Sequence, residues 1–223
     1  MSNRLPLEFT AILSILAPPQ RRLWDELRVV PQSFVLCGGT AVALQLGHRT
    51  SVDFDFVGNH EFDPDNLLRD LSFLQGARVS QKSANTLTCI VDRDGPVMLS
   101  FFGTPSLSLI EMPHLANDSH LRVASLVDLA GMKAAVVQKR AEAKDYIDLD
   151  AIIENTEIDL PTALSAAQLL YDVAFHPELT LKSLSYFGDG SLPTLAPEIR
   201  DRLAKAVAAV DLTHLPPVVR TSQ

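Results

Sequence analysis

The chain reads as an α+β protein, with a small mixed-sheet lobe over residues 1–120 followed by a helical lobe over 121–223. Three observations predict this. Apolar runs of strand length crowd into residues 33–102, longer segments with helical spacing replace them after residue 125, and a Gly38-Gly39 turn joins a strand-like run to a helix-like one.

Taken in order, residues 7–16 and 20–29 predict two short helices separated by Pro18-Pro19, since proline interrupts a helix already under way. Residues 33–37 predict a buried strand, closed by Gly38-Gly39. Thr40 is placed to cap the next helix, whose apolar surface comes from Ala41, Val42, Leu44 and Leu46. A strand follows at 53–57. After the turn-rich GNHEFDPDN, residues 66–74 predict a helix with Leu67, Leu68, Leu71 and Leu74 on one side. Strands are predicted at 77–82, 86–92 and 97–102, the last two joined as a hairpin through Arg93-Asp94-Gly95. A mixed sheet with helices on one side is the simplest assembly of these pieces.

Residues 104–117 read as irregular and 121–123 as a short strand. Ser125 and Asp128 have capping-box spacing and start a helix running to about residue 140. Further helices are predicted at 144–154, 160–175 and 196–210, with Pro216-Pro217 ending structure.

Composition sets outer bounds. The 223 residues are 47% apolar and 21% charged, ordinary for a soluble globular protein. A net charge of −8 argues against coating nucleic acid through bulk positive charge, so any RNA contact is local. No apolar run is long enough to span a bilayer, and MSNRLPLEF carries charge without the apolar core of a signal peptide; a cytoplasmic location is expected. Cys37 and Cys89 lie inside apolar runs without metal-ligand spacing and read as small core residues.

The chemistry concentrates in FVLCGGTAVALQLGHRTSVDFDFV, residues 34–57. On a strand, Asp53 and Asp55 share one face while Phe54 and Phe56 point into the core. Two neighbouring carboxylates repel unless a cation joins them, and a magnesium ion carrying nucleotide phosphates suits hard oxygen donors. Backbone N–H groups at the Gly38-Gly39 turn, reinforced by the helix dipole, make an anion site near the pair. A second cluster is SLVDLAGMKAAVVQKRAEAKDYIDLDAI. Lys133 there is either a snorkelling surface residue or a cation that neutralises phosphate. Asp145 and Asp148 share a helix face near Lys139, Arg140 and Lys144, as a solvated charged face or as a site in which Asp145 pairs with Lys133 or a metal.

GGTAVALQLGHRTSVDFDF followed by ASLVDLAGMKAAVVQKRAEAKDYIDL resembles the AbiEii/AbiGii-type toxin nucleotidyltransferases, within the DNA polymerase β-like nucleotidyltransferase superfamily. The match spans residues 34–152, with two separated motifs in the family's order. The resemblance implies a nucleotidyltransferase-like mixed-sheet lobe, a helical lobe that completes the active-site cleft, and magnesium or manganese. It implies transfer of a nucleoside monophosphate from a nucleoside triphosphate to an acceptor, either RNA (transfer RNA among them) or protein. It further implies a toxin of a toxin–antitoxin or abortive-infection pair, with a cognate antitoxin. By position, Gly38, Gly39 and Thr40 match the phosphate-contacting turn, Ser51 the serine before the aspartates, Asp53 and Asp55 the metal-binding pair, and Lys133 and Asp145 the catalytic lysine and aspartate of the second motif. His48 and Arg49 fit as phosphate or base contacts, or as surface loop residues.

One position departs from that pattern. The superfamily commonly carries a third carboxylate on a later strand, and in PVMLSFF the corresponding residue is Ser100. A hydroxyl is a weaker base and ligand. Asp145 or Glu111 takes part of the role, the metal alone activates the acceptor, or the chain is a slow or inactive nucleotide-binding and protein-interaction module.

Overall fold

Alternating burial along residues 53–58 marks the middle of a sheet, with the even positions inside and the aspartates half-exposed. The structure is a computed structural model that describes residues 7–221. Residues 1–6, which open the stretch read above for a targeting signal, and residues 222–223 lie outside the described residues. The chain forms two compact units. One runs to Ser108 and includes Met112–Ala124; the other takes Leu109–Glu111 and everything from Ser125 onward.

The first unit holds the strands β1 (Glu8–Phe9), β2 (Phe34–Cys37), β3 (Asp53–Gly58), β4 (Arg78–Ser83), β5 (Thr86–Asp92), β6 (Pro96–Gly103), β7 (His114–Ala116) and β8 (Arg122–Val123). They form one mixed sheet in the order β1-β7-β8-β2-β3-β6-β5-β4. β3 runs antiparallel to β2 and parallel to β6, which places it between two hydrogen-bonding neighbours. Its inward face carries Phe54 and Phe56, and Phe56 stacks on Phe101 of β6 at 4.9 Å between ring centroids. Phe34 meets Phe101 edge-on at 5.4 Å. Such aromatic pairs add about 0.5–1.5 kcal/mol each beyond their buried area. The β5–β6 hairpin turns through residues 93–95 as predicted, with Asp94 and Gly95 both at positive φ.

Three helices accompany the sheet: α1 (Pro18–Trp24), α2 (Gly38–Leu46) and α3 (Pro64–Asp70). Several local expectations are corrected here. No helix occupies 7–16; β1 pairs there with β7, and a 3-10 turn follows at Leu13–Ile15. Pro18-Pro19 begins α1 rather than separating two helices, because a residue with no N–H and a fixed φ costs nothing in a first turn. α1 gives way to a 3-10 helix at Asp25–Val29. α3 starts at Pro64, earlier than expected, because the Asp63 carboxylate accepts from the Asp65 N–H at 2.9 Å.

The second unit is built from α4 (Leu126–Val136), α5 (Ala143–Asn155), α6 (Leu160–Tyr171), α7 (Pro177–Ser183) and α8 (Pro197–Ala208). Ser125 caps α4 as predicted, accepting from the Asp128 N–H at 3.1 Å. Buried Asp128 accepts from the Ile110 N–H at 2.7 Å and the Glu111 N–H at 3.2 Å, which ties 109–111 to this unit. Burial, the larger effect, pushes the Asp128 carboxyl above its ordinary range despite those bonds. Gly131 lets α4 and α6 approach closely, since a Cβ there would stand 2.9 Å from the Ala166 carbonyl carbon and the Ala167 nitrogen. α4 stops at Val136 and α6 at Tyr171, both short of expectation, and α7 was not expected. Pro216-Pro217 does not end ordered structure: Thr221 donates its N–H to Ile110 at 2.9 Å and Arg220 bonds the Leu109 carbonyl at 3.1 Å.

Candidate active site

The aspartate strand is positioned from both sides. The β2–β3 ladder ends at Cys37↔Asp55, where the chain leaves the sheet into α2, while the β3–β6 ladder continues to Asp53↔Met98. Asp53 and Asp55 therefore stand two residues apart on one face, half-buried, opposite the fully buried Phe54 and Phe56.

Gly38 explains the turn. Its φ is +72°, and a Cβ built on it would lie 2.8 Å from Asp55 Oδ2. The space a side chain would fill is taken by the Asp55 carboxylate, which lies against the first residue of α2. A helix N-terminus favours negative charge, so this end of α2 suits the ionised carboxylate and any phosphate brought near it. Gly39 follows within the first turn of the helix.

Thr40 does not cap α2 as expected. Cys37 occupies the N-cap position, because Gly38 in the left-handed region already starts the helix. The Thr40 side chain instead turns inward: it donates to the Asp53 carbonyl and shares a 2.7 Å hydrogen bond with the Ser51 hydroxyl. Both residues are buried. His48 and Arg49 follow Gly47, which closes α2 at φ +68°. They sit at the opposite end of α2 from Gly38, roughly 13 Å along the axis at 1.5 Å per residue. Arg49 donates to the Thr50 carbonyl at 2.9 Å.

Ser100 lies in register with Asp55 on β6, on the same face, and is buried. Its hydroxyl accepts a long 3.5 Å bond from Thr88 on β5. The row across the sheet is thus Cys37, Asp55, Ser100, Thr88, with one carboxylate in it.

In the helical unit, Lys133 Nζ stands 2.7 Å from Asp145 Oδ1 and 2.6 Å from Asp148 Oδ2. Arg140, from the loop between α4 and α5, donates its Nε to Asp145 Oδ2 at 2.7 Å. The Lys133 side chain is 7% exposed and both carboxylates are fully buried. Burial is the largest influence on Asp145 and opposes ionisation, but the Arg140 bonds and the Lys133 charge outweigh it and hold the carboxyl below its ordinary range. Two cations and two carboxylates leave this cluster with no net charge. Asp148 and Arg140 complete it; the three-residue spacing from Asp145 signals Asp148, and of the neighbouring cations Lys139, Arg140 and Lys144 it is Arg140 that reaches Asp145.

Among the described residues, no group of three or more His, Cys, Asp and Glu is placed to hold a metal. The Asp53/Asp55 pair supplies hard oxygen donors without nitrogen or sulfur, a set that fits magnesium or manganese shared with a triphosphate better than a metal caged by protein alone. Among the described residues, no helix is long and apolar enough to cross a membrane.

Comparison with known proteins adds the lineage. The profile of the family described as nucleotidyl transferase AbiEii toxin, type IV toxin–antitoxin system, matches residues 22–217. An uncharacterized protein of Aquifex aeolicus (strain VF5) is 33% identical over 159 residues, covering 70% of this chain and 74% of the relative. Among solved structures, MenT4, a nucleotidyltransferase toxin from Mycobacterium tuberculosis H37Rv, superposes with a TM-score of 0.59 at 17% identity, over 87% of this chain and 83% of that one. At that identity the likeness is one of fold.

Proposed function

Because the chain belongs to the nucleotidyl transferase AbiEii toxin family and is an enzyme of the nucleotidyltransferase kind, we propose that it moves a nucleoside monophosphate from a nucleoside triphosphate to an RNA hydroxyl, transfer RNA in the first instance, as the toxin of a toxin–antitoxin pair. The observation that carries this reading is the Asp53/Asp55 face of β3 with the Asp55 carboxylate lodged against Gly38 at the start of α2.

In the step proposed, an acceptor hydroxyl oxygen forms a bond to the α-phosphorus, the bond to the bridging oxygen breaks, pyrophosphate leaves, and the hydroxyl proton ends on water. Asp53 and Asp55 would hold the divalent ion. When bound, magnesium or manganese supplies charge neutralisation along the triphosphate and at the transferring phosphoryl group. The backbone N–H groups of Gly38 and Gly39, in the first turn of α2, would receive phosphate oxygens, while the hydroxyls of Thr40 and Ser51, engaged with each other and with the Asp53 carbonyl, brace the strand. Lys133 and Asp145 enter as the second motif's charge pair. With Arg140 and Asp148 they form a compensated cluster, so the contribution we assign them is a fixed geometry between α4 and α5. His48 and Arg49 are assigned to acceptor or base contact at the far end of α2. The neutral Ser100 beside Asp55 makes the step slower than one with a third carboxylate as base. A cytoplasmic location, with an antitoxin partner in the same compartment, completes the reading.

A protein acceptor is the second reading, favoured by the net charge of −8, which disfavours bulk attraction of RNA. Calorimetry of the four ribonucleoside triphosphates with and without magnesium, on wild type and Asp53→Ala, tests the site; binding that needs magnesium and is lost in the variant is expected. Labelled triphosphate offered to transfer RNA and to candidate proteins then separates the acceptors: label in RNA supports the first reading, and label only in a protein band rejects it.

A further inference from the structure

We infer that Gln20, on α1, is a positioning residue for the metal-binding carboxylate of Asp53; this rests on the function proposed above. The direction of a side chain is set by the two peptide planes that flank its Cα. At Asp53 both planes are held by side chains in addition to the single ladder to β6. The plane before it ends in the Val52 carbonyl, which accepts a 2.6 Å bond from Gln20 Nε2. The plane after it ends in the Asp53 carbonyl, which accepts from Thr40.

The sheet does this work from one side only. The β2–β3 ladder stops at Cys37↔Asp55, so Asp53 has a strand partner on the β6 side only. Val52 lies outside β3 and its side chain is 54% exposed, so packing does not fix it. Gln20 itself is 3% exposed, and its Oε1 has no hydrogen-bond partner among the described residues. A glutamine buried with half its amide unpaired is a poor choice for packing, since an apolar side chain of the same volume would fill the site without that cost. The bond to Val52 is the reason for the residue. Gln20 also precedes residues 22–217, the span the family profile matches, so the brace comes from outside the motif it serves.

Outer-shell partners of metal ligands are worth about 10–100-fold in metal affinity. The test is Gln20→Met, which keeps volume and loses the donor, measured beside wild type and Asp53→Ala. For each, binding of the four ribonucleoside triphosphates is titrated against magnesium by calorimetry, with folding checked by thermal melt. The expected result is a half-saturating magnesium concentration raised about tenfold or more in Gln20→Met, with triphosphate affinity at saturating magnesium within about threefold of wild type. A purely structural role would lower the melting temperature and leave the magnesium midpoint in place, and that outcome overturns the inference. If Asp53→Ala retains magnesium-dependent binding, the metal site itself is wrong and the inference falls with it, which is a different failure. Should Gln20→Met not fold, Gln20→Leu is read by the same criteria.

Discussion

Replacing Gly38 with alanine strikes the two properties that place Asp55. The first is backbone conformation: at φ +72°, a residue with a Cβ costs about 1–2 kcal/mol relative to glycine. The second is collision, because the new Cβ would stand 2.8 Å from Asp55 Oδ2, and that oxygen must retreat by about 0.6 Å to reach ordinary contact distance. Gly76 offers a matched control, since its φ is +78° and a Cβ there meets nothing within 4 Å. Gly76→Ala thus isolates the conformational cost, about 1–2 kcal/mol. For a chain of this size, that corresponds to a fall of roughly 2–8 °C in Tm. Gly38→Ala is expected to match or exceed that fall and, unlike the control, to weaken magnesium-dependent triphosphate binding by about tenfold or more, because displacing the oxygen proposed to hold the metal by a fraction of an ångström would spoil the site. Thermal melts and calorimetry on the three proteins decide it. Unchanged triphosphate binding in a folded Gly38→Ala protein would refute the placement of the Asp55 carboxylate against this turn.

Other expectations follow from the same geometry. Lys133→Met leaves Asp145 and Asp148 buried with one cation fewer and is expected to cost about 3–5 kcal/mol by denaturant melt. Asp145 is held below its ordinary carboxyl range, so its stabilising contribution is present above the unfolded value and is lost as pH falls through the lowered folded one. Lys133→Met should therefore move the acid-unfolding midpoint upward, and an unmoved midpoint would contradict the pairing. Gly131→Ala is expected to destabilise the helical unit by about 1–3 kcal/mol, because its Cβ meets α6 backbone that cannot rotate away; a melt within error of wild type would contradict the close crossing. Ser100→Asp puts a third carboxylate in register with Asp55 and is expected to lower Tm without metal and to reduce the half-saturating magnesium concentration several-fold. A Tm that is insensitive to the charge would place Ser100 off that face.

Much of the site was legible because its signals are local. Alternation in VDFDFV fixed which residues of β3 share a face, and the Gly38-Gly39 pair marked the strand-to-helix turn. What escaped depends on partners distant in sequence. Thr40 looked like a cap because it follows the glycines, yet its hydroxyl is used by Asp53, thirteen residues on. Gln20 gave no signal at all, since its partner carbonyl is thirty-two residues away. β1 and β7 are two- and three-residue strands whose pairing alone defines them, so residues 7–16 carried a helical pattern that tertiary hydrogen bonds overrode. Lys133 was ambiguous because spacing cannot say whether a lysine tip reaches water. Burial with two carboxylates answers that, and Arg140 joins them from a loop that no periodicity describes.

The most direct test of the account is transfer of label from an α-labelled nucleoside triphosphate to transfer RNA and protein acceptors by wild type and by the double variant Asp53→Ala, Asp55→Ala, with pyrophosphate release followed in parallel. Both aspartates are half-exposed and share a face opposite the buried Phe54 and Phe56, so removing them leaves the core untouched. The account predicts magnesium-dependent transfer by wild type and background transfer by the double variant, with a cooperative thermal melt showing that the variant is folded. Transfer that persists in a folded double variant would contradict it.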